Sequence, residues 1–246
     1  MTKILLSLLA LLFAGNAWAV ELSAEQVLAH IDANQVFDHA IIEASMVIHS
    51  RSGDRSIALK SWSLGEDKSF SEYLAPAREK GKKMLKVGDK LWTYTPEPHD
   101  RIIAISGHLL KQSVMGSDLS YDDMMRNDSL AEAYQAEILG YEVINGRECI
   151  VLHLQATQKD VSYDQQKLWV DAERFVTLQA HMLAKNGKLL KQFQVKDVFE
   201  MQGRWVAKHM HFQDMLASGG GTEYLLHSID LETEVPERLF SKASLR

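Results

Sequence analysis

Residues 84–125, MLKVGDKLWTYTPEPHDRIIAISGHLLKQSVMGSDLSYDDMM, decide the fold. Gly88-Asp89 predicts a tight hairpin turn between two short apolar strands. Pro96 and Pro98 end the second strand, because proline has no N–H to give to a ladder. A third strand follows, and the stretch ends at a Met-Gly-Ser-Asp turn before a short helix. The three predicted strands are Met84–Val87, Leu91–Thr95 and Ile102–Ile105.

Two capping boxes mark predicted helix starts. Ser23 and Gln26 have the spacing of the first box, and an apolar stripe follows on a helix that we expect to end near Asn34. Ser120 and Asp123 have the same spacing, with aspartate in place of glutamate, before about one turn of helix. The sequence therefore predicts a helix at the N-terminal side and a short helical insert in the middle.

Alternating apolar and polar residues extend on both sides of the central stretch. Asn145-Gly146 and Asn186-Gly187 separate such runs, and Asn-Gly is a strong hairpin signal. A further strand is predicted at 132–141. The total is about eleven or twelve strands, mostly antiparallel. A meander of that width must curl or close, so we predict a mainly β fold with a few helices: a single curved antiparallel sheet forming an incomplete, half-open β-barrel with helices covering the concave face.

The N-terminal residues are typical of a secretory signal peptide. Lys3 supplies a positive start, residues 4–14 are nearly all aliphatic, and Ala17-Trp18-Ala19 matches a cleavage site. We therefore expect residues 1–19 to be removed and residues 20–246 to form one domain, exported to the periplasm. No second apolar run is long enough to span a membrane.

Composition and motifs argue against several classes of function. The chain carries 27 basic and 33 acidic residues, and this net negative charge disfavours nucleic acid as a partner. The sequence contains no G-x-S-x-G elbow, and His209 and His211 lack a convincing third ligand for a metal. The single cysteine, Cys149, lies in an apolar strand pattern and reads as a small buried hydrophobe. We predict no catalytic residues, no cofactor and no metal.

Two sequence blocks resemble a known family. Trp-Thr-Tyr-Thr-Pro at 92–96 and Met-Gly-Ser-Asp-Leu-Ser-Tyr-Asp-Asp at 115–123 are similar to segments of the outer-membrane lipoprotein-sorting (LolA-like) proteins, in an uncharacterised branch. The resemblance implies an incomplete barrel with a helical lid and an apolar cavity that carries acyl chains across the periplasm. The best-studied carriers lock the lid with an arginine, and no motif here marks the corresponding residue.

The resemblance also implies the partners. We expect a lipid or an acylated lipoprotein as cargo, an RND-type inner-membrane exporter and an outer-membrane acceptor as contacts, and a monomeric protein. The candidate residues for lining the cavity are large aromatic and methionine side chains. They are Met46, Trp62, Trp92, Tyr94, Met115 and Trp169.

For each candidate, ordinary core packing is the alternative to cavity lining. Trp92 and Tyr94 lie two residues apart and so share one face of a strand, which is either cavity wall or packed core. The unbranched side chains of Met46 and Met115 suit an adaptable pocket, and they also suit gaps in a core.

Two functional hypotheses follow. The first is a carrier that holds acyl chains in the half-barrel. The second is an adaptor that uses the same fold to dock on an inner-membrane exporter, and it predicts a well-packed concave face.

Overall fold

The structure of the chain is a computed structural model that describes residues 22–125, 129–158 and 161–246. The predicted signal peptide, residues 1–19, lies outside the described residues. Within these ranges, no helix has both the length and the apolar character needed to cross a membrane.

Thirteen strands form one antiparallel sheet in the order β6-β5-β4-β3-β2-β1-β13-β12-β11-β10-β9-β8-β7. The order begins at β6 and ends at β7, so in the described part of the chain the sheet does not close into a barrel. The prediction of a half-open antiparallel sheet is confirmed, although the predicted count of strands is slightly low. The strands are β1 His39–Ser50, β2 Gly53–Leu64, β3 Lys68–Ala75, β4 Lys83–Val87, β5 Lys90–Thr95, β6 Arg101–Ile105, β7 Tyr134–Ile144, β8 Arg147–Ala156, β9 Gln165–Asp171, β10 Thr177–Leu183, β11 Leu189–Met201, β12 Arg204–Asp214 and β13 Gly221–Asp230.

Helix α1, Ala24–Gln35, begins with the predicted capping box. The backbone N–H of Gln26 donates to Ser23 Oγ at 3.3 Å, and the N–H of Ser23 donates to the Gln26 side chain at 2.8 Å. The apolar stripe of α1 is buried against β8, β9 and β10. Its contacts form the first core cluster, with Val27, Leu28, Ile31, Leu152, Leu168 and Ala180 among its members.

We call the sheet face under α1 the inner face. Phe193 packs against the cluster under α1, and Phe212 packs against a second cluster that includes Met46 and Ile57. The rings of Phe193 and Phe212 lie 5.0 Å apart. The two clusters therefore form one apolar surface that runs across the sheet, and it corresponds to the concave face of the prediction.

The C-terminal segment covers part of the opposite, outer face. Two 3-10 turns, Glu237–Phe240 and Lys242–Leu245, pack on β3 and β4. Leu245 is fully buried there beside Phe70 and Leu85. The outer face of β3 and β4 is therefore covered by the C-terminal segment.

The predicted strand at 132–141 is wrong at its beginning. Helix α3, Leu130–Ala133, precedes β7. The carboxylate of Asp32 in α1 accepts from the N–H of Leu130 at 3.0 Å and from Ser129 Oγ at 2.6 Å. It thereby satisfies donors at the start of a helical turn. This partner is almost a hundred residues away in the chain, so the local pattern contained no sign of it.

Candidate functional site

Residues 106–125, which we call the insert, lie on the inner face between β6 and α3. The insert contains a 3-10 turn, Gly107–Lys111, and helix α2, Tyr121–Met125. Its side chains Val114 and Leu119 are buried, at 0% and 4% exposure. They pack against strands β1 to β3 of the inner face. The strand residues in this cluster are Ala44, Met46, Ile48, Ile57, Leu59 and Tyr73.

The Met-Gly-Ser-Asp turn brings an arginine onto the insert. Met115 and Gly116 both have positive φ, at 54° and 76°. Arg55 of β2 donates a hydrogen bond to the carbonyl oxygen of Met115. A Cβ atom on residue 116 would lie 3.0 Å from Arg55 Nη2, so glycine leaves room for this approach. No sequence motif had singled out Arg55, and the contact is recognisable only in three dimensions.

Asp118 connects the insert to β12 and β13, which lie in the middle of the sheet. Its carboxylate accepts from the N–H of Asp214 at 2.9 Å and from Thr222 Oγ1 at 2.8 Å. The N–H of Asp118 donates to the same Thr222 oxygen at 2.9 Å. Thr222 is fully buried and the two aspartates are partly buried, and this three-point contact holds the insert against β12 and β13.

Asp123 in α2 forms the buried ionic contact of the insert. Its carboxylate pairs with the ammonium of Lys191 in β11, and the two side chains are 11% and 6% exposed. It also accepts from Tyr163 Oη at 2.7 Å and from the N–H of Ser120 at 2.7 Å. The latter contact confirms the predicted capping box. Burial alone would raise the pKa of Asp123, but the Lys191 charge and these hydrogen bonds outweigh burial and lower that pKa.

Because the pKa of Asp123 is lowered, its contribution to the stability of the folded protein should be lost in acid. A carboxyl whose pKa is lower in the folded state stabilises that state above its ordinary pKa of 3.8, and the contribution is lost as the pH falls through the folded value. We therefore expect the difference in free energy of unfolding between the wild type and Asp123→Asn to shrink below about pH 4. Urea unfolding of both proteins at a series of pH values measures it. A difference that stays constant down to about pH 2 would contradict the assignment.

A cavity of about 180 Å³ with a mixed polar and apolar lining lies beside this ion pair. Its lining consists of three serines of the insert together with Lys111, Asp118, Leu119, Ser162, Tyr163, Leu190, Lys191, Asp214 and Leu216. Pockets that enclose a small-molecule ligand usually measure ~300–1,000 Å³. Because the adjoining apolar surface is covered by the insert, a long apolar ligand reaches the inner face only after the insert moves.

The six predicted lining residues lie in three separate clusters. Met46 and Met115 belong together, beneath the insert on the inner face. Trp62, Trp92 and Tyr94 share the cluster on the outer face under the C-terminal segment. The prediction that Trp92 and Tyr94 point to one face is confirmed.

Trp169 lies in the third cluster. Its indole Nε1–H donates to Glu142 at 2.7 Å, Lys167 Nζ lies 4.5 Å from the ring centroid, and His181 makes an edge contact at 4.8 Å. These three partners fix the orientation of the ring. A role for Trp169 in ligand binding stays a prediction.

Comparisons with known proteins identify the family of the chain and solved structures with the same fold. A family model described as "Uncharacterized protein" matches residues 65–246. The structure is similar to a DUF1329 family protein from Desulfovibrio piger, with a TM-score of 0.82 and 22% identity over 91% of this chain and 98% of that chain. No sequence of a curated protein matches the chain.

Two further solved structures share this fold. One is from Vibrio parahaemolyticus and is described as an outer membrane lipoprotein-sorting protein domain, with a TM-score of 0.80 and 22% identity over 90% of this chain and 97% of that chain. The other is a LolA superfamily protein from Nitrosomonas europaea, with a TM-score of 0.77 and 22% identity over 91% of this chain and 100% of that chain. The fold that the resemblance of the two sequence blocks implies is confirmed.

Proposed function

The chain belongs to the family whose model matches residues 65–246 and has the LolA-like fold, and from this premise we propose that it is a periplasmic carrier of acyl chains. The observation that carries the proposal is the apolar inner face under the insert. In the carrier, the insert leaves this face and the acyl chain takes its place.

The driving force for such an exchange is the burial of hydrocarbon. Each methylene group removed from water contributes about 0.8 kcal/mol, so a chain of about 15 methylenes contributes roughly 12 kcal/mol before any costs. The exchange gives up the apolar contacts of Val114 and Leu119, the hydrogen bonds of Asp118, and the ion pair of Asp123. Hydrogen bonds contribute only about 0.5–1.5 kcal/mol each on balance, so the larger costs are the buried ion pair and the apolar contacts of the insert, and only a long acyl chain can offset them.

The proposed carrier binds its cargo without chemical conversion. The cargo is a lipid or an acylated lipoprotein, passed from an inner-membrane donor such as an RND-type exporter to an outer-membrane acceptor. Met46 lines the opened pocket, where its flexible side chain adapts to the acyl chain, and Met115 moves with the insert. Trp62, Trp92, Tyr94 and Trp169 lie on other surfaces, and substituting each by alanine in a probe-binding assay tests whether they take part.

A reversible lock on the insert tests the proposal. We would replace Asp118 and Thr222, whose side chains are 2.8 Å apart, by cysteine in a Cys149→Ser background. The oxidised protein holds the insert on β13, and we expect it to bind a fluorescent fatty acyl probe at least about tenfold more weakly than the reduced protein. The reduced protein lacks the tether of Asp118, so it should bind the probe at least as tightly as the wild type.

The single cysteine variants are the matched controls. Each should bind the probe equally well with and without reductant, and mass spectrometry of the double variant should confirm the internal disulfide. An oxidised double variant that binds the probe as tightly as its reduced form would overturn insert displacement as the route to the pocket.

The covered inner face favours one alternative function. A filled concave face is what an adaptor of an inner-membrane exporter would present, and the insert fills it here. In that case the wild type should bind no acyl probe and carry no lipid through purification. Capture of an inner-membrane exporter should then be equal for the oxidised and reduced forms of the locked variant.

A further inference from the structure

The insert offers two neighbouring carboxylates to hydrogen-bond donors of the main fold. Lys191 Nζ and Tyr163 Oη both contact the carboxylate of Asp123, and Ser162 Oγ donates to that of Asp122. Lys191 belongs to β11, while Ser162 and Tyr163 immediately precede β9. Three donors outside the insert are therefore arranged around two negative groups of the insert.

The other polar contacts of Asp123 stay within the insert. Ser120 donates to it through its backbone N–H at 2.7 Å and through its hydroxyl at 2.8 Å. When the insert is displaced, Ser120, Asp122 and Asp123 leave together, while Lys191, Ser162 and Tyr163 remain. The displacement therefore separates these three hydrogen-bond donors from the two carboxylates that they bind.

Lys191 gives this separation an energetic consequence. Its side chain is only 6% exposed and lies at the edge of the apolar inner face. A buried ammonium that loses its counter-charge is unfavourable by several kcal/mol. Opening the inner face is therefore favourable only when water or another anion replaces the Asp123 carboxylate, and an anion is the better replacement in a site that hydrocarbon is filling.

The surroundings of Lys191 have the form of a head-group site. The cavity of about 180 Å³ is lined by Lys191, Ser162 and Tyr163 and also by the apolar side chain of Leu190. Asp118 also borders this cavity, but it belongs to the insert and leaves with it. Asp214 stays, and its Oδ1 is engaged by the N–H of Leu216 at 2.8 Å.

We propose that Lys191, Tyr163 and Ser162 form an oxyanion subsite that selects acyl amphiphiles with a phosphate or carboxylate head group. The head group replaces the carboxylates of Asp122 and Asp123, while the acyl chain replaces the apolar side chains of the insert. A lysine ammonium and hydroxyl donors are ordinary partners of phosphate oxygens in proteins. This inference rests on the proposed carrier function and names its class of cargo.

Two probes with the same fluorescent acyl chain test the subsite: a lysophosphatidic acid and the monoacylglycerol that lacks only its phosphate. We expect the wild type to bind the phosphate probe at least about tenfold more tightly than the neutral one. Lys191→Met should remove this preference. Asp123→Asn should strengthen binding of the phosphate probe, because the competing carboxylate is gone. The opposite signs of the two variants distinguish a ligand site from a general loss of structure.

If Lys191→Met does not fold, the double variant Lys191→Met/Asp123→Asn removes both buried charges and should show the same loss of preference. Equal binding of both probes by the wild type would overturn the oxyanion subsite and leave the carrier function standing. Binding of neither probe would overturn the carrier function, and the subsite with it.

A competition experiment with inorganic phosphate completes the test, because a free phosphate ion offers the same oxygen atoms without an acyl chain. The proposal expects millimolar inorganic phosphate to leave the bound phosphate probe in place. Displacement of the probe by inorganic phosphate at the concentration of the probe itself would assign the site to a free anion and overturn the amphiphile.

Discussion

Replacing Asp171 by alanine is expected to lower the free energy of unfolding by about 3–5 kcal/mol, because it removes a fully buried carboxylate that accepts from two backbone N–H groups and from the partly exposed guanidinium of Arg147. The carboxylate of Asp171 is fully buried at the end of β9. It accepts two hydrogen bonds from the guanidinium of Arg147 and further ones from the backbone N–H groups of Glu173 and Arg174, each at 3.0 Å. Four donors thus lose one acceptor in a single substitution.

The pKa of Asp171 has the corresponding direction. Burial alone would raise the pKa of this carboxyl, but the Arg147 guanidinium and the two backbone donors outweigh burial and lower it. The contribution to stability is therefore present above the ordinary pKa of 3.8 and is lost as the pH falls through the folded value.

Glu173 provides the matched control, because its carboxylate binds the same arginine at 2.6 Å but is 81% exposed. Exposed ion pairs contribute only about 0–1 kcal/mol, so Glu173→Ala should change the free energy of unfolding by less than about 1 kcal/mol. Urea unfolding at neutral pH measures both variants. Equal losses for the two substitutions would show that burial does not decide the strength of these contacts.

Replacing Leu152 by alanine is expected to lower the free energy of unfolding by about 2–5 kcal/mol, because it opens a cavity in a close-packed core. Leu152 in β8 is fully buried between the sheet and helix α1, in the cluster that contains Val27 and Leu28. The loss combines the transfer of the removed methyl groups with the contacts that the surrounding side chains can no longer make.

Leu139 on the neighbouring strand β7 is the matched control. Its side chain is 53% exposed, so Leu139→Ala removes the same atoms with little cavity, and we expect a change of less than about 1 kcal/mol. Loss of helical circular dichroism together with stability would show that α1 detaches from the sheet in the Leu152 variant. Retention of full stability in Leu152→Ala would contradict the packing of α1 on the inner face.

Local patterns were sufficient to predict most of the sheet and the start of both capped helices. Period-two alternation and Asn-Gly turns act between residues close in the chain, and so do the contacts of Ser23 with Gln26 and of Ser120 with Asp123. The start of α3 could not be predicted, because its donors are satisfied by Asp32 in a distant helix. Interactions between neighbouring residues thus predict which helices and strands form, and contacts between distant residues change where they begin and end.

In the candidate site as well, the sequence predicts local features but not the contacts between residues that are distant in the chain. The Met-Gly-Ser-Asp turn predicted the insert, and Met46 and Met115, two of the six predicted lining residues, lie in one cluster. The partner of Asp123 is 68 residues away in Lys191, and Arg55 is 60 residues from Met115. An aromatic side chain in a strand also has no local property that tells inner from outer face, and Trp92 and Tyr94 accordingly proved to lie on the outer one.

The insert is covalently part of the surface that it covers, and this has a consequence for affinity. A segment tethered beside its own binding site competes at an effective concentration in the millimolar range, whatever the amount of protein in solution. Any ligand of the inner face therefore shows an apparent dissociation constant equal to its intrinsic value divided by the fraction of molecules with the insert displaced. In the proposed carrier, the same competition speeds recovery of the covered state after release, so the insert would set both how strongly a cargo must bind and how readily it is released.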